Sequence, residues 1–300
     1  MKNIKSIIFE ETQRLYISLP DVNDAPFFLE LLNTSDWLRY IGDKNVKSLD
    51  DAANYITTLA NDQDRTYWLV RLKSDDKAIG MVSMIQRDYL DYPDFGFAFL
   101  PTFYKQGYAQ EASRIALSTF FSTNNINNIF AITLKENNNS ALLLKRLGFQ
   151  IKKELTRNNE IINQFELTQD KFNLDHLVFQ FFNLFNNKNK TDTNWNSIND
   201  ICITDAFIIK KTGLQSEVYS IQSFIEPRKK ILTDGTLLDF EEKETNEETI
   251  IIKHIAQRYS TYIKSGIWND KPYHGTGHKF FQFINTNAGW KISALVWEDD

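Results

Sequence analysis

The sequence is poor in several residue types, and each shortage excludes a class of protein. Only one of its 300 residues is a cysteine, Cys202, so no disulfide can form within the chain. No apolar run approaches the roughly eighteen residues that a membrane-spanning helix needs. The 34 lysines and arginines are outnumbered by 39 aspartates and glutamates, which argues against partners such as nucleic acid or an acidic membrane surface.

The remaining composition is that of a globular protein. Hydrophobic residues make up 42% of the chain and charged residues 24%, which is enough apolar material for packed cores. The length is about twice that of a common domain, so we expect two domains. The amino-terminal residues carry charge but no apolar stretch of signal-peptide length, and we therefore expect a cytoplasmic location.

One segment points to a bound nucleotide. It combines an apolar strand, a short basic loop and the start of a helix, and it reads Asp94-Phe-Gly-Phe-Ala-Phe-Leu-Pro-Thr-Phe-Tyr-Lys-Gln-Gly-Tyr-Ala-Gln-Glu-Ala112. A loop that leads into a helix leaves several backbone N–H groups unpaired and directed outward. Such groups bind phosphate, so the segment predicts a site for the pyrophosphate of a nucleotide-bearing cofactor.

Two further segments complete a pattern with this loop, namely Glu136-Asn-Asn-Asn-Ser140 and Lys145-Arg-Leu-Gly-Phe149. The combination resembles the GNAT acetyltransferase superfamily, in particular the branch that includes ribosomal-protein N-terminal acetyltransferases. The resemblance covers residues 9–168 and extends to two outer segments, Glu11-Thr-Gln-Arg-Leu15 and Trp37-Leu-Arg-Tyr-Ile-Gly-Asp43. It implies an α+β fold in which a mixed sheet is flanked by helices.

Hydrophobic periodicity and capping residues predict the same order of elements. We expect strands at 12–19, 67–73, 78–86, 94–100, 129–134 and 161–167, and helices after Pro20, after Ser48, at 107–123 and at 137–147. The strands at 67–73, 78–86 and 94–100 should form an antiparallel meander.

The character of the sequence changes near residue 170. Helices are predicted at 170–187 and 220–232, and long strands at 236–245, 249–264 and 277–297, the last folded at 285–289. The acidic stretch Glu241–Glu248 is interpreted as a solvated hairpin tip. Four segments resemble the nuclear-transport-factor-two-like (SnoaL-like) superfamily: 200–207, 224–228, 275–283 and 289–299. We therefore expect a GNAT domain at 1–169 and, at 170–300, an α+β cone with a curved antiparallel sheet.

The GNAT resemblance implies that acetyl-CoA is the co-substrate and assigns its contacts. The backbone of one strand would bind the pantetheine arm, through Phe97, Phe99 and Leu100. The following loop would bind the pyrophosphate, through Tyr104, Lys105, Gln106, Gly107, Tyr108 and Ala109. Asn137 and Ser140 would complete the cofactor site. Two positions depart from the family pattern, because Tyr104 stands where Gln or Arg is usual and Leu144 stands where many members carry a catalytic Tyr.

Acetyl transfer to an amine needs a proton acceptor for the amine and a proton donor for the leaving thiolate. Asp94, beside apolar phenylalanines, is a candidate base, but it could equally cap its strand. Ser140 is the candidate acid in place of the missing Tyr. Asn137 could bind pantetheine or simply cap the helix that follows it.

The leading hypothesis is an N-acetyltransferase in which a primary amine, of a protein N-terminus or a small molecule, attacks acetyl-CoA directly in a ternary complex. The alternative is a regulatory or assembly protein whose degenerate GNAT domain binds an acyl-CoA or other small ligand. In the second domain, one strand face by period two carries His254, Ala256, Arg258, Ser260 and Tyr262, and on it His254 and Arg258 could bind a small polar ligand or be structural. An isomerase or hydratase that uses Asp239 or His254 is a third possibility.

We expect no metal site, because His274 and His278 have no nearby Cys. We also expect a homodimer formed through the carboxy-terminal domain.

Overall fold

The computed structural model describes residues 8–188 and 193–300. The chain divides into two compact units, Met1–Gln169 and Asp170–Asp300. None of the helices that the structure describes is both long and apolar enough to cross a bilayer.

The first unit contains one mixed sheet of eight strands among its described residues, in the order β1-β2-β3-β4-β5-β6-β8-β7. The strands are β1 (Ile8–Glu11), β2 (Leu15–Ser18), β3 (Arg65–Leu72), β4 (Ala78–Ile85), β5 (Asp94–Phe99), β6 (Asn128–Leu134), β7 (Gln150–Arg157) and β8 (Glu160–Thr168). The helices are α1 (Ala25–Leu32), α2 (Ser35–Tyr40), α3 (Leu49–Asn61), α4 (Tyr108–Thr123) and α5 (Asn138–Arg146).

The meander of β3, β4 and β5 is confirmed, as is the capping box that starts α3. The Asp51 N–H donates to Ser48 Oγ, and the Asp51 carboxylate accepts the Ser48 N–H. One face of the sheet, with Leu69 and Met81, packs against α1 and α3 and buries Phe28 completely. This packing fixes the meander under two helices, and the meander in turn carries β5 to the site.

Three predictions of elements in this unit were incomplete. The strand expected at 12–19 begins only at Leu15, as β2, because the Thr12 N–H bonds to Leu15 O (2.8 Å) and turns the chain there; a separate strand that was not predicted, β1, precedes the turn. Helix α2 was not predicted; the Thr34 hydroxyl caps it by accepting the Trp37 N–H. Strand β7 was also missed, because it is an edge strand whose side chains are nearly all exposed and show no apolar alternation.

The second unit contains a six-stranded sheet among its described residues, in the order β10-β9-β14-β13-β12-β11, antiparallel except between β14 and β9. The strands are β9 (Cys202–Thr212), β10 (Gln215–Tyr219), β11 (Leu237–Ile252), β12 (Ile255–Trp268), β13 (Lys271–Thr286) and β14 (Gly289–Asp299). The helices are α6 (Gln169–Leu184), α7 (Ile198–Ile201) and α8 (Ile221–Thr233).

The prediction of a solvated hairpin tip at Glu241–Glu248 is wrong. Strand β11 runs through this stretch to Ile252, because three of its glutamates face buried cations. Lys279 donates to Glu242, Arg258 to Glu244 (Nε–Oε1 2.9 Å), and Lys171 to Glu247 (2.9 Å). The real turn lies at Lys253 and His254, so the acidic run is a paired strand.

The prediction that His254 lies on the same strand face as Arg258 and Tyr262 is wrong. His254 lies in the turn before the strand and is exposed, whereas Arg258 and Tyr262 are on the buried face, as period two predicts. The Arg258 guanidinium is held by Asp175 (2.5 Å) and Glu244. A buried cation paired in this way is structural, because removing one partner would leave a charge buried alone.

Candidate active site

Strands β5 and β6 are joined at one end and part from there. In the described part of the chain their ladder has a single register pair, Asp94 with Phe130, and the Phe130 N–H bonds to Pro93 O (2.8 Å). In contrast, β5 pairs with β4 along its whole length. Beyond Asp94, the backbone of β5 therefore turns one edge of unpaired peptide groups toward a gap. Phe97 and Ala98 are only partly buried beside this gap.

The carboxylate of Asp94 stands where the two strands separate. Its Oδ1 accepts the N–H of Ile132 (3.0 Å), the group that a carbonyl of β5 would accept if the parallel ladder continued. Its Oδ2 accepts from Nε of Arg87 (2.6 Å). A side chain has thus replaced a ladder bond, which satisfies β6 without closing the gap. The strand cap considered in the sequence analysis is therefore present, in a form that spans two strands.

Burial of the Asp94 side chain changes its acidity. The side chain is 3% exposed, and this desolvation raises the pKa to about 6 although Arg87 and the Ile132 N–H oppose the shift. A carboxylate with a pKa near 6 is ionised at neutral pH and is a stronger proton acceptor than an ordinary aspartate. Asp94 thus combines a hydrogen bond that links the two strands with a raised pKa.

The loop after β5 forms a concave run of peptide groups. Lys105 (φ 60°) and Gly107 (φ 83°) are both in the left-handed region, and Gly107 is the residue before α4. Within α4 the first N–H to bond along the helix is that of Glu111, to Gly107 O (3.1 Å). The N–H groups of Tyr108, Ala109 and Gln110 precede it and lack helical acceptors. They face outward at the positive end of a 16-residue helix, an arrangement that suits a phosphate.

Arg14 is a part of this corner that the sequence analysis missed. Its Nη1 donates to Gln106 O (3.1 Å), its Nε donates to Glu111 (2.8 Å), and its guanidinium lies 4.5 Å from the centre of the Tyr108 ring. It therefore connects the turn before β2 to the loop and to the first turn of α4. Its only sequence signal was its place in the segment Glu11-Thr-Gln-Arg-Leu15, which carries no indication of a partner 97 residues away.

The side chains of Tyr104 and Leu144, the two departures from the family pattern, have structural contacts. The Tyr104 hydroxyl donates to Asp36 (3.0 Å), and partial burial, followed by this hydrogen bond, raises the pKa of Tyr104. Tyr104 therefore links the loop to α2. Leu144 is 2% exposed and packs in the core, so no side chain at that position of α5 reaches the gap.

Asn137 and Ser140 lie at the start of α5, directly after β6. The Asn137 side chain caps the helix by accepting the Ser140 N–H (3.1 Å), as the simpler of the two predictions stated. Ser140 is partly buried in the first turn. In residues 8–188 and 193–300 no group of three or more His, Cys, Asp or Glu side chains is arranged to hold a metal ion.

Comparison with known proteins relates part of this chain to a family. Residues 14–150 match the acetyltransferase (GNAT) domain family. Two proteins of Bacillus subtilis (strain 168) are similar: the uncharacterized N-acetyltransferase YoaA, 25% identical over 47% of this chain and 81% of its own, and the uncharacterized N-acetyltransferase YnaD, 26% identical over 50% and 89%.

Solved structures share the fold. A GCN5-related N-acetyltransferase from Brucella melitensis superposes with a TM-score of 0.50 at 13% identity, over 57% of this chain and 83% of its own. A spermidine N-acetyltransferase from Vibrio cholerae, solved with CoA and spermine, gives 0.48 at 19% identity, over 54% and 99%. Residues 14–150 thus form a GNAT acetyltransferase domain, and the chain is an acetyl-CoA-dependent N-acetyltransferase.

Proposed function

We propose that acetyl-CoA lies in the gap between β5 and β6, with its pyrophosphate on the N–H groups at the start of α4. The pantetheine arm would run along the free edge of β5, at Phe97, Phe99 and Leu100. The loop residues Tyr104, Lys105, Gln106, Gly107, Tyr108 and Ala109 would surround the phosphates. One observation carries this proposal: the free strand edge leads from the junction at Asp94 to the unpaired N–H groups of α4.

In this arrangement the thioester lies toward the closed end of the gap, near Asp94. A primary amine attacks the thioester carbonyl carbon directly, so that a C–N bond forms and the C–S bond breaks within one ternary complex. The Asp94 carboxylate takes the proton of the ammonium, directly or through water. Ser140 gives a proton to the thiolate and recovers one from solvent. The acceptor is a primary amine, either a protein N-terminus or a small molecule.

The reaction is tested by measuring free thiol released from acetyl-CoA in the presence of a panel of amines. The panel contains a short peptide with a free N-terminus, spermidine and an aminoglycoside. Direct attack predicts intersecting lines in double-reciprocal plots of initial rate against one substrate at several concentrations of the other. A covalent acetyl-enzyme predicts parallel lines in the same plots. CoA binding without thiol release from any amine would instead support the alternative of a degenerate GNAT domain, which the buried Leu144 favours.

Replacing Ser140 by Ala tests the proposed proton donor. We expect kcat to fall by about tenfold, because solvent must then protonate the thiolate, while the KM for acetyl-CoA changes little. The matched control is Ser122→Ala on α4, since the Ser122 hydroxyl bonds only locally, to Thr119 O. An unchanged kcat in Ser140→Ala, at saturating acceptor and acetyl-CoA, would remove Ser140 from the mechanism.

For residues 170–300 we propose an α+β cone domain of the nuclear-transport-factor-two-like (SnoaL-like) type that pairs with a second copy. A long, mostly antiparallel sheet covered on one face by α6 and α8 supports the fold.

The other face of this sheet carries the exposed side chains of Phe207, Val218 and Phe280, which supports pairing of two copies. Light scattering of the full chain should give twice the mass of one chain, and Phe280→Glu should halve it.

A further inference from the structure

Arg228 on α8 occupies an unusual position in the second unit. Its guanidinium carbon lies 3.8 Å from the centre of the Phe224 ring, 5.3 Å from that of Trp297 and 5.5 Å from that of Tyr219. Its Nη1 donates to Phe224 O (2.7 Å). Arg228 also hydrogen-bonds to the Tyr219 hydroxyl, which in turn donates to Glu217, so aromatic side chains surround a cation that has a hydroxyl partner but no carboxylate bonded to it directly.

No carboxylate within the described residues forms an ion pair with this guanidinium. The two acidic groups that influence it, Glu242 and Asp299, are held by other cations. Lys279 binds Glu242, while Lys264 donates to Asp299 at 2.5 Å. Burial therefore lowers the pKa of Arg228. A mostly buried arginine without its own carboxylate is costly, and an incoming anion would offset that cost.

Charged side chains of both signs surround Arg228. Lys210, Lys264 and Lys279 join Arg228 at this end of the sheet, against Glu242, Asp299 and Glu217. The register places Lys210 and Lys279 on either side of Trp297. Of these four cations, Arg228 is the one that forms no ion pair within the described residues.

Solvent reaches the cluster. The side chains of Lys210 and Asp299 are 32% and 31% exposed, and Arg228 is partly exposed. Lys210 Nζ lies 3.8 Å from Asp299 Oδ2, a loose contact that leaves most of its hydrogen-bonding capacity free. A small solute could therefore reach both Arg228 and Lys210.

We propose that this end of the second unit binds a small organic anion, a carboxylate attached to an aromatic or other flat apolar body. The carboxylate pairs with Arg228 and Lys210, and the body packs against Tyr219 and Trp297. Arginine presents a planar fork that matches a carboxylate, and the rings supply apolar contact area. The residues of this site belong to the second unit and those of the acetyl-CoA gap to the first, and this proposal does not depend on the proposed function.

The test is calorimetric titration of the full chain with benzoate, and with benzylamine as a cation of the same size. Benzoate should bind and benzylamine should not. Arg228→Gln should weaken benzoate binding by at least about tenfold, which is the loss of one charge-assisted pair. Lys229→Gln is the matched control, since it removes the same charge from an exposed position next to Arg228 on α8. Should Arg228→Gln fail to fold, Lys210→Gln is expected to weaken binding by several-fold.

Two results would overturn the proposal. One is the absence of benzoate binding to the wild-type chain. The other is equal benzoate affinity in wild type, Arg228→Gln and Lys210→Gln. The variant Gly107→Val, which alters the proposed phosphate loop, should bind benzoate as the wild type does. Loss of benzoate binding in this variant would indicate that the anion binds in the first unit, which would also contradict the proposal. Failure of CoA to bind would leave these outcomes unaffected.

Discussion

Replacing Gly107 by Val should weaken coenzyme A binding by about 100-fold. Gly107 adopts φ 83°, which costs a residue with a Cβ about 1–2 kcal/mol, so the loop would shift to relieve the strain. A Cβ here would also lie 3.4 Å from Arg14 Nη2, and the methyl groups of valine would press on that guanidinium. Both effects displace the N–H groups of Tyr108 and Ala109 from the phosphates. Calorimetric titration with CoA measures the loss.

Gly235 provides the matched control for this experiment. It adopts φ 89° in the turn before β11, in the second unit, and a Cβ there would meet nothing within 4 Å. Gly235→Val therefore imposes the same kind of backbone strain far along the chain from the loop. We expect it to lower the melting temperature by a similar amount and to leave CoA affinity unchanged. Equal CoA affinity for Gly107→Val and Gly235→Val would contradict the proposed phosphate site.

Replacing Asp94 by Asn should lower kcat by about 100- to 1,000-fold, the range expected for losing a positioned general base. Asparagine keeps an oxygen that can accept the Ile132 N–H, so the strands should still part and acetyl-CoA should bind nearly as well as in wild type. Asp94→Ala removes this acceptor too and should weaken both kcat and acetyl-CoA binding. Comparing kcat with the dissociation constant in the two variants separates the two roles.

The pH dependence supplies an independent readout for Asp94. Its pKa is raised to about 6, and the carboxyl must be ionised to accept a proton. Wild-type kcat/KM should therefore be constant above pH 7 and fall about tenfold per unit below pH 6. This slope should be absent in Asp94→Asn. Wild-type kcat in Asp94→Asn would mean that Asp94 only holds the strands apart.

The parts of the site that lie close together in sequence were predictable. The loop from Leu100 to Gly107 and the start of α4 form one continuous segment, whose glycine and helix pattern are local signals. The capping box at Ser48 and the cap at Asn137 are also local. Each depends on backbone groups within three residues, so propensity and spacing contain the information.

Contacts that join distant segments were not predictable. The Asp94 carboxylate accepts from Ile132, 38 residues later, and Arg14 binds Glu111 across 97 residues. A sequence pattern indicates that a residue is charged, but its partner depends on how the sheet is assembled. The assignment of Asp94 as either base or cap stayed open for this reason.

The acidic strand β11 illustrates how tertiary contacts override local propensity. Glutamates are poor strand formers, and a run of them is typical of a solvated turn. Here the strand is stabilised by Lys171, Arg258 and Lys279, which come from α6, β12 and β13. These cations are themselves buried, so each glutamate satisfies a charge that would otherwise be unpaired.

The most direct test of the central claim compares coenzyme A with pantetheine by titrating each into the full-length chain. If the N–H groups at the start of α4 hold the pyrophosphate, CoA should bind at least about 100-fold more tightly than pantetheine, which lacks the phosphates and the nucleotide. Absence of measurable CoA binding, or equal affinity for both compounds, would contradict the proposed cofactor site.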